Sequence, residues 1–154
     1  MNKINETDPE EYSKFLATNN YSGNYKDFTI ETSIGASPEA TINYLYLDLE
    51  HVVYFNGMTW KVVNTEVRTV KCFSSRDGGG IGAIAVNKEK QIVAVAESGH
   101  KPSIYFYQHP EYETINQLKG GTERSYCSIA FSNDGSKLAS VGSYPDYSLV
   151  IWNW

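Results

Sequence analysis

Residues 84–108 (IAVNKEKQIVAVAESGHKPSIYFYQ) and residues 129–153 (IAFSNDGSKLASVGSYPDYSLVIWN) align without a gap at an offset of 45 positions. Apolar, serine and aromatic positions recur in register, so that Tyr107 meets Trp152. A repeat of about 40–45 residues with aromatic residues at fixed places is typical of the four-stranded blades of a β-propeller. The two stretches therefore predict an all-β chain built from blades.

The length of the chain limits how many blades it can hold. Its 154 residues suit one domain, but a closed propeller has at least four blades and needs roughly 180 residues. Residues 41–154 provide two to three blades, and an open stack of that size leaves strand edges unpaired. We therefore expect a partial propeller that needs further chain or a partner protein to complete it.

The first 40 residues differ from the rest in composition. They contain seven acidic residues against three lysines and show no sustained strand alternation. We predict that residues 1–40 are an acidic, mostly irregular lead-in. Within it, Asp8-Pro9-Glu10-Glu11 is typical of a helix start and predicts a short helix over about residues 9–17. Residues 41–154 are predicted to be the incomplete propeller blades.

Alternating apolar runs between turn residues predict the strands of three blades. The first blade, divergent or only part of one, has the hairpin turn Asn56-Gly57. The expected strands are Ile42–Asp48, His51–Phe55, Trp60–Val63 and Val67–Phe73, then Ile81–Val86, Ile92–Glu97, Ser103–Tyr107 and Thr114–Leu118, then Tyr126–Phe131, Lys137–Gly142 and Ser148–Trp152.

Charge and hydropathy argue against several classes of function. The net charge is −5 and no basic cluster is longer than two residues, so nucleic acid is not an expected partner. The longest apolar runs, such as Ile92–Ala96, are too short to span a membrane, and no signal peptide is visible. The glycine-rich Asp77–Gly80 is not followed by Gly-Lys-Ser/Thr and is interpreted as a link between blades.

The cysteines and histidines give no sign of a reactive site. Cys72 and Cys127 lie 55 positions apart among strand residues and are predicted to be buried, reduced thiols. His51, His100 and His109 have no metal-ligand spacing with either cysteine and are predicted to be surface turn histidines. We therefore expect no catalytic, cofactor or metal site, and a protein that is not an enzyme.

The last blade carries the residue spacing of a WD repeat. Ser140 lies on the second strand, Asp146 in the following turn and Trp152 on the third strand. In WD repeats these positions form a buried network with a histidine from the loop before the blade. That loop has no histidine here, and Thr122 lies near the expected place. We predict that Ser140, Asp146 and Trp152 hold strands together and do no chemistry.

A longer series of motifs resembles a known family. The series covers residues 78–154, and its most specific parts are the loop Gly120-Gly121-Thr122-Glu123-Arg124 and the turn Ser143-Tyr144-Pro145-Asp146-Tyr147. It is similar to the cilia- and flagella-associated protein 44 family, long WD-repeat proteins of the axoneme. The resemblance marks Gly120, Gly121, Thr122, Glu123, Arg124, Pro145 and Tyr147 as the family-motif loop residues.

The resemblance implies a structural role in the cilium or flagellum. The family is thought to form part of the tether that holds the motor domains of inner-arm dynein to the doublet microtubules. The implied partners are axonemal tether subunits, inner-arm dynein and cilia- and flagella-associated protein 43, and the implied location is the axoneme. The blades alone are equally compatible with an alternative function, a general cytoplasmic WD-repeat adaptor in a multiprotein complex.

Overall fold

The computed structural model describes residues 44–154, and within them the chain forms eleven strands and no helix. The strands are β1 (Tyr44–Tyr46), β2 (His51–Asn56), β3 (Thr59–Asn64), β4 (Thr69–Ser74), β5 (Ile81–Asn87), β6 (Ile92–Glu97), β7 (Ser103–Gln108), β8 (Glu113–Lys119), β9 (Tyr126–Phe131), β10 (Lys137–Gly142) and β11 (Leu149–Asn153). They form three antiparallel sheets, in the orders β1-β2-β3-β4, β5-β6-β7-β8 and β11-β10-β9, which we call the first, second and third sheets. The prediction of an all-β chain is confirmed.

The predicted helix over residues 9–17 and the acidic lead-in lie outside the described residues. The division of the chain at residue 40 therefore stays a prediction. Residues 44–154 contain no helix that is sufficiently long and apolar to span a membrane.

The sequence repeat reappears as a repeat of strand pairing. In the second sheet Ile84 pairs with Val95, and in the third sheet Ile129 pairs with Ser140, which are the same positions moved by 45 residues. The innermost strands β5 and β9 lie side by side. Gly82 permits this approach, because a Cβ there would lie 2.0 Å from the carbonyl oxygen of Tyr126.

The first sheet is a complete four-stranded blade rather than part of one. Within the described residues, β1 ends and β4 begins two residues inside the predicted strands, because aspartate and asparagine side chains form turns there. Asn64 Oδ1 accepts hydrogen bonds from the backbone N–H groups of Glu66 and Val67, both at 3.0 Å, so the fourth strand begins at Thr69. Asp48 Oδ1 does the same for the turn that follows β1.

The strands β5, β6 and β7 of the second sheet are buried on both faces, whereas its outer strand β8 is largely exposed. Every residue of β6 is buried, and successive side chains point to opposite sides. Val93 and Val95 belong to a core shared with the first sheet, whereas Ala94 and Ala96 belong to a core shared with the third. Strands buried on both faces read as continuous apolar runs, which explains the sequence IVAVA.

Candidate functional site: the loop cleft of the third sheet

Two of the predicted network residues contact each other directly. Trp152 on β11 donates its Nε1–H to Ser140 Oγ on β10 at 2.8 Å. Ser140 is buried, and the half-buried Trp152 ring packs against the core between the second and third sheets. This hydrogen bond ties the last strand of the third sheet to its neighbour.

The third predicted residue, Asp146, acts on a different segment. Its Oδ2 accepts hydrogen bonds from Thr122 Oγ1 at 2.8 Å and from the backbone N–H of Glu123 at 2.6 Å. Thr122, which lies near the place where the sequence lacks a histidine, is buried. In the described chain the network is therefore two separate pairs, Ser140 with Trp152 and Thr122 with Asp146.

These contacts bring the two family-motif loops together. Ser148 Oγ donates to the carbonyl oxygen of Gly121 at 2.6 Å, and the backbone N–H of Ser143 donates to the carbonyl of Ser125 at 2.8 Å. Gly121 leaves no room for a side chain, because a Cβ there would lie 2.7 Å from Cζ2 of Trp152. Residues distant in the sequence thus form one surface.

That surface contains a cleft, which we call the loop cleft. It has a volume of about 500 Å³ and is lined by Lys101, Lys119, Gly120, Gly121, Thr122, Glu123, Asp146 and Ser148. Glu123, Arg124, Pro145 and Tyr147 are exposed beside it. The Tyr144 and Tyr147 rings, 69% and 72% exposed, meet edge to face with centroids 6.3 Å apart. Charges of both signs beside exposed aromatic rings suit contact with another protein.

Replacing Asp146 by alanine is expected to lower the free energy of unfolding by about 1 kcal/mol. The change removes the acceptor shared by Thr122 and Glu123, but Asp146 is exposed, so water replaces part of the loss. Urea denaturation of the full chain measures the effect. Glu123→Ala is the matched control, because only its backbone N–H takes part, and an equal loss in both variants would contradict the role of the Asp146 carboxylate.

The second sheet has its own carboxylate network, which the sequence analysis missed. Asp77 lies 45 positions before Thr122 and accepts hydrogen bonds from the Ser103 N–H and the Tyr105 hydroxyl, both at 2.8 Å. Burial and this bond to Asp77 raise the pKa of Tyr105. Glu97, at the end of β6, is 1% exposed and holds the loop that carries Asp77. The sequence signal that could have revealed this network is an acidic residue, Glu97, at the end of the apolar strand β6.

Two of the three histidines are not simple surface turn residues. His51 begins β2 and is half-buried, and His109 is half-buried after β7, with their ring centroids 4.6 Å apart. Asp48 accepts from His51 Nδ1 at 2.9 Å. Burial, followed by the nearby His51, lowers the pKa of His109. Spacing along the chain could not reveal this cluster, because its members come from two different sheets.

The prediction that both cysteines are buried is wrong, since Cys72 and Cys127 are exposed. Cys72 lies on β4, the outermost strand of the first sheet, and Cys127 lies on the outer face of the third sheet. Neither face is covered by another described strand. Residues typical of strands were read as core residues, but strands at the edge of a stack expose one face to solvent.

Comparison with known proteins gives a consistent set of relatives. The chain is 36% identical over 126 residues to cilia- and flagella-associated protein 44 of Mus musculus, which covers 82% of this chain and 7% of that protein. It is 43% identical over 86 residues to the protein of the same name from Chlamydomonas reinhardtii, covering 51% of this chain and 5% of that protein. It is also 42% identical over 76 residues to cilia- and flagella-associated protein 43 of Xenopus laevis, covering 49% of this chain and 5% of that protein.

No protein-family profile matches the chain. Among solved structures, a chain of the "Crystal Structure of Mitotic Checkpoint Complex" matches with a TM-score of 0.57 at 19% identity, covering 68% of this chain and 32% of that chain. This neighbour is a WD40 propeller, so the predicted WD40-type blades are confirmed. The chain spans only 5–7% of the length of the relatives described above. Over the aligned residues it is a homologue of cilia- and flagella-associated protein 44.

Proposed function

We propose that this chain is part of a structural scaffold of the ciliary or flagellar axoneme and that it acts by binding proteins rather than by catalysis. The observation that carries the proposal is its similarity to proteins named for cilia and flagella in an animal and an alga. The WD40-type blades support it, because propellers present loops and rims to protein partners.

The surface that fits a protein partner best is the rim of the loop cleft. Tyr144 and Tyr147 are exposed there, and Leu149 and Ile151 extend the apolar surface along β11 with exposures of 67% and 58%. Exposed apolar groups that adjoin one another mark interaction sites more often than isolated ones do. Aromatic residues are also enriched at protein interfaces.

The finer part of the proposal is that the scaffold is the tether of inner-arm dynein to doublet microtubules. Axonemal tether subunits, inner-arm dynein and cilia- and flagella-associated protein 43 are the proposed partners. This chain is similar to both cilia- and flagella-associated protein 43 and cilia- and flagella-associated protein 44, which supports the proposal that it acts together with such proteins. Further chain or a partner would cover the outer face of the third sheet and complete the propeller.

A general WD-repeat adaptor in the cytoplasm is the alternative. One observation favours it, because the same fold occurs in a chain of the mitotic checkpoint complex, an assembly that is not named for cilia. The two functions differ in location. An axonemal scaffold stays with the axoneme after detergent extraction, whereas an adaptor is extracted with the cytoplasm.

Tagging the endogenous protein in a ciliated cell tests this difference. We expect signal along the axoneme that resists detergent and weakens strongly when Tyr144 and Tyr147 are both changed to serine. The matched control changes Tyr44 and Tyr46, which are exposed on β1, to serine and should leave the signal in place. A diffuse cytoplasmic signal would contradict the scaffold, and equal loss in both double variants would contradict the assigned surface.

A further inference from the structure

Three side chains with metal-binding atoms converge between the first and second sheets. Asp48 lies in the turn after β1, His51 begins β2, and His109 lies in the turn after β7. One ligand atom from each lies within 4.8 Å of the other two, and all three residues are half-buried. The small cavity beside them, about 90 Å³, is lined by both histidines and by Tyr112.

The chemistry of these atoms is that of a transition-metal site. Two imidazole nitrogens and one carboxylate oxygen are a common ligand set for zinc, and three protein ligands leave the fourth zinc position to water. Ligand atoms around one zinc ion lie about 3.3 Å apart when each is about 2.0–2.1 Å from the metal. Because the present separations are at most 4.8 Å, the side chains need to close by at most about 1.5 Å, which side-chain rotation can supply.

Hydrogen bonds already orient the three groups. Asp48 Oδ1 accepts from the backbone N–H groups of Glu50 and His51 at 2.8 and 2.7 Å, which fixes the carboxylate. His109 Nδ1 pairs with the Tyr112 hydroxyl at 2.7 Å, which leaves Nε2 as its ligand atom. Metal-binding histidines usually make such a second hydrogen bond through the other ring nitrogen.

Two neighbouring groups, Asn64 and Lys71, oppose the binding of a cation. His51 Nε2 also pairs with Asn64 Nδ2 at 3.1 Å, so a metal must displace either this bond or the bond to Asp48. Lys71 is the nearby positive charge, and its Nζ is held by the Pro110 carbonyl at 2.9 Å and over the Tyr112 ring.

We propose that Asp48, His51 and His109 bind one divalent transition-metal ion of the zinc class. The ion would join the first sheet, which supplies Asp48 and His51, to the second, which supplies His109. It would thus act as a structural link between neighbouring blades. Structural zinc sites stabilise a fold directly, because the ligands are not gathered in the unfolded chain.

The test titrates the full chain with Co²⁺ and then with Zn²⁺. Cys72→Ser and Cys127→Ser form the background, because both thiols are exposed and would bind these metals elsewhere. We expect one equivalent of Co²⁺ with the visible absorption of a low-symmetry site, displacement by Zn²⁺, and a higher melting temperature with metal. Mass spectrometry under native conditions gives the stoichiometry independently.

Variants at two of the three residues connect the binding to this site. His109→Gln and Asp48→Asn should each weaken Zn²⁺ binding by about 100-fold or more, whereas His100→Gln, an exposed loop histidine, should leave it unchanged. Lys71→Met should tighten binding by about 2–5-fold, since it removes a nearby positive charge. Circular dichroism of each metal-free variant verifies its fold, and Asp48→Asn keeps the side-chain shape if His109→Gln does not fold.

Absence of a one-to-one metal complex in the folded background protein would overturn the proposal. So would binding that His109→Gln and Asp48→Asn leave intact, or binding that His100→Gln removes. The tighter Zn²⁺ binding expected for Lys71→Met is a result that a general loss of structure could not produce.

Discussion

Replacing Trp60 by alanine is expected to lower the free energy of unfolding by about 3–5 kcal/mol. Trp60 is completely buried on β3, in the core between the first and second sheets. Its ring stacks on Phe73 with centroids 4.3 Å apart and lies 4.7 Å from the ring of Tyr107. Its Nε1–H has no hydrogen-bond partner among residues 44–154, so the expected loss comes from packing and from the cavity left behind.

Urea denaturation of the full chain, followed by near-ultraviolet circular dichroism, measures this loss. Trp154→Ala is the matched control, because it deletes the same side chain where the ring is only half-buried against Phe106, with centroids 4.6 Å apart. We expect a smaller loss there, about 1–2 kcal/mol. Equal losses in the two variants would show that the core between the first and second sheets does not dominate stability.

The contrast between Trp60 and Trp152 shows what the repeat could and could not predict. The repeat assigned Trp152 to the third strand of the last blade, and the structure places it there with Ser140 as its partner. Burial depends on what lies on either side of a sheet. Trp60 lies between two sheets, whereas Trp152 lies in the last described sheet, and sequence period alone does not distinguish these environments.

Strand positions were predictable because the apolar pattern and the turn residues agree. Most predicted strands in the second and third sheets match to within one residue, since alternation and tight turns are local properties. The errors in strand bounds occur where a side chain competes with the neighbouring strand for backbone hydrogen bonds. Asn64 Oδ1 accepts hydrogen bonds from the N–H groups of Glu66 and Val67, and Val67 was the predicted first residue of β4.

The sites depend on contacts between residues distant in sequence. Asp146 was predicted from the residue spacing of WD repeats, and Thr122 was noted as lying near the place of their histidine, but this spacing does not specify which groups bond. Asp48, His51 and His109 belong to no such repeat motif, and His51 and His109 lie 58 positions apart in the sequence. Only the packing of the first sheet against the second brings them within reach of one another.

Glu97→Ala is expected to lower the free energy of unfolding by about 3–5 kcal/mol, through lost hydrogen bonds rather than lost packing. The Glu97 carboxylate is 1% exposed and accepts three short hydrogen bonds from the loop at residues 75–77. The donors are the Ser75 hydroxyl at 2.7 Å and the backbone N–H groups of Arg76 and Asp77, both at 2.6 Å. Removing the acceptor leaves these donors without their charged partner, and hydrogen bonds to charged groups contribute about 1.5–3 kcal/mol each. The expected loss is smaller than the sum of three such bonds because Arg76 and Asp77 are exposed, so water replaces part of it.

The effect should extend beyond the loop, because Asp77 in turn holds β7 through the Ser103 N–H and the Tyr105 hydroxyl. Hydrogen exchange should therefore speed up at the Ser103 amide in Glu97→Ala. Glu113→Ala, on the exposed strand β8, is the matched control and should change stability by no more than about 0.5 kcal/mol. If Glu97→Ala lost no more stability than this control while Ser103 exchange stayed slow, water would be replacing the carboxylate, and the loop would not depend on Glu97.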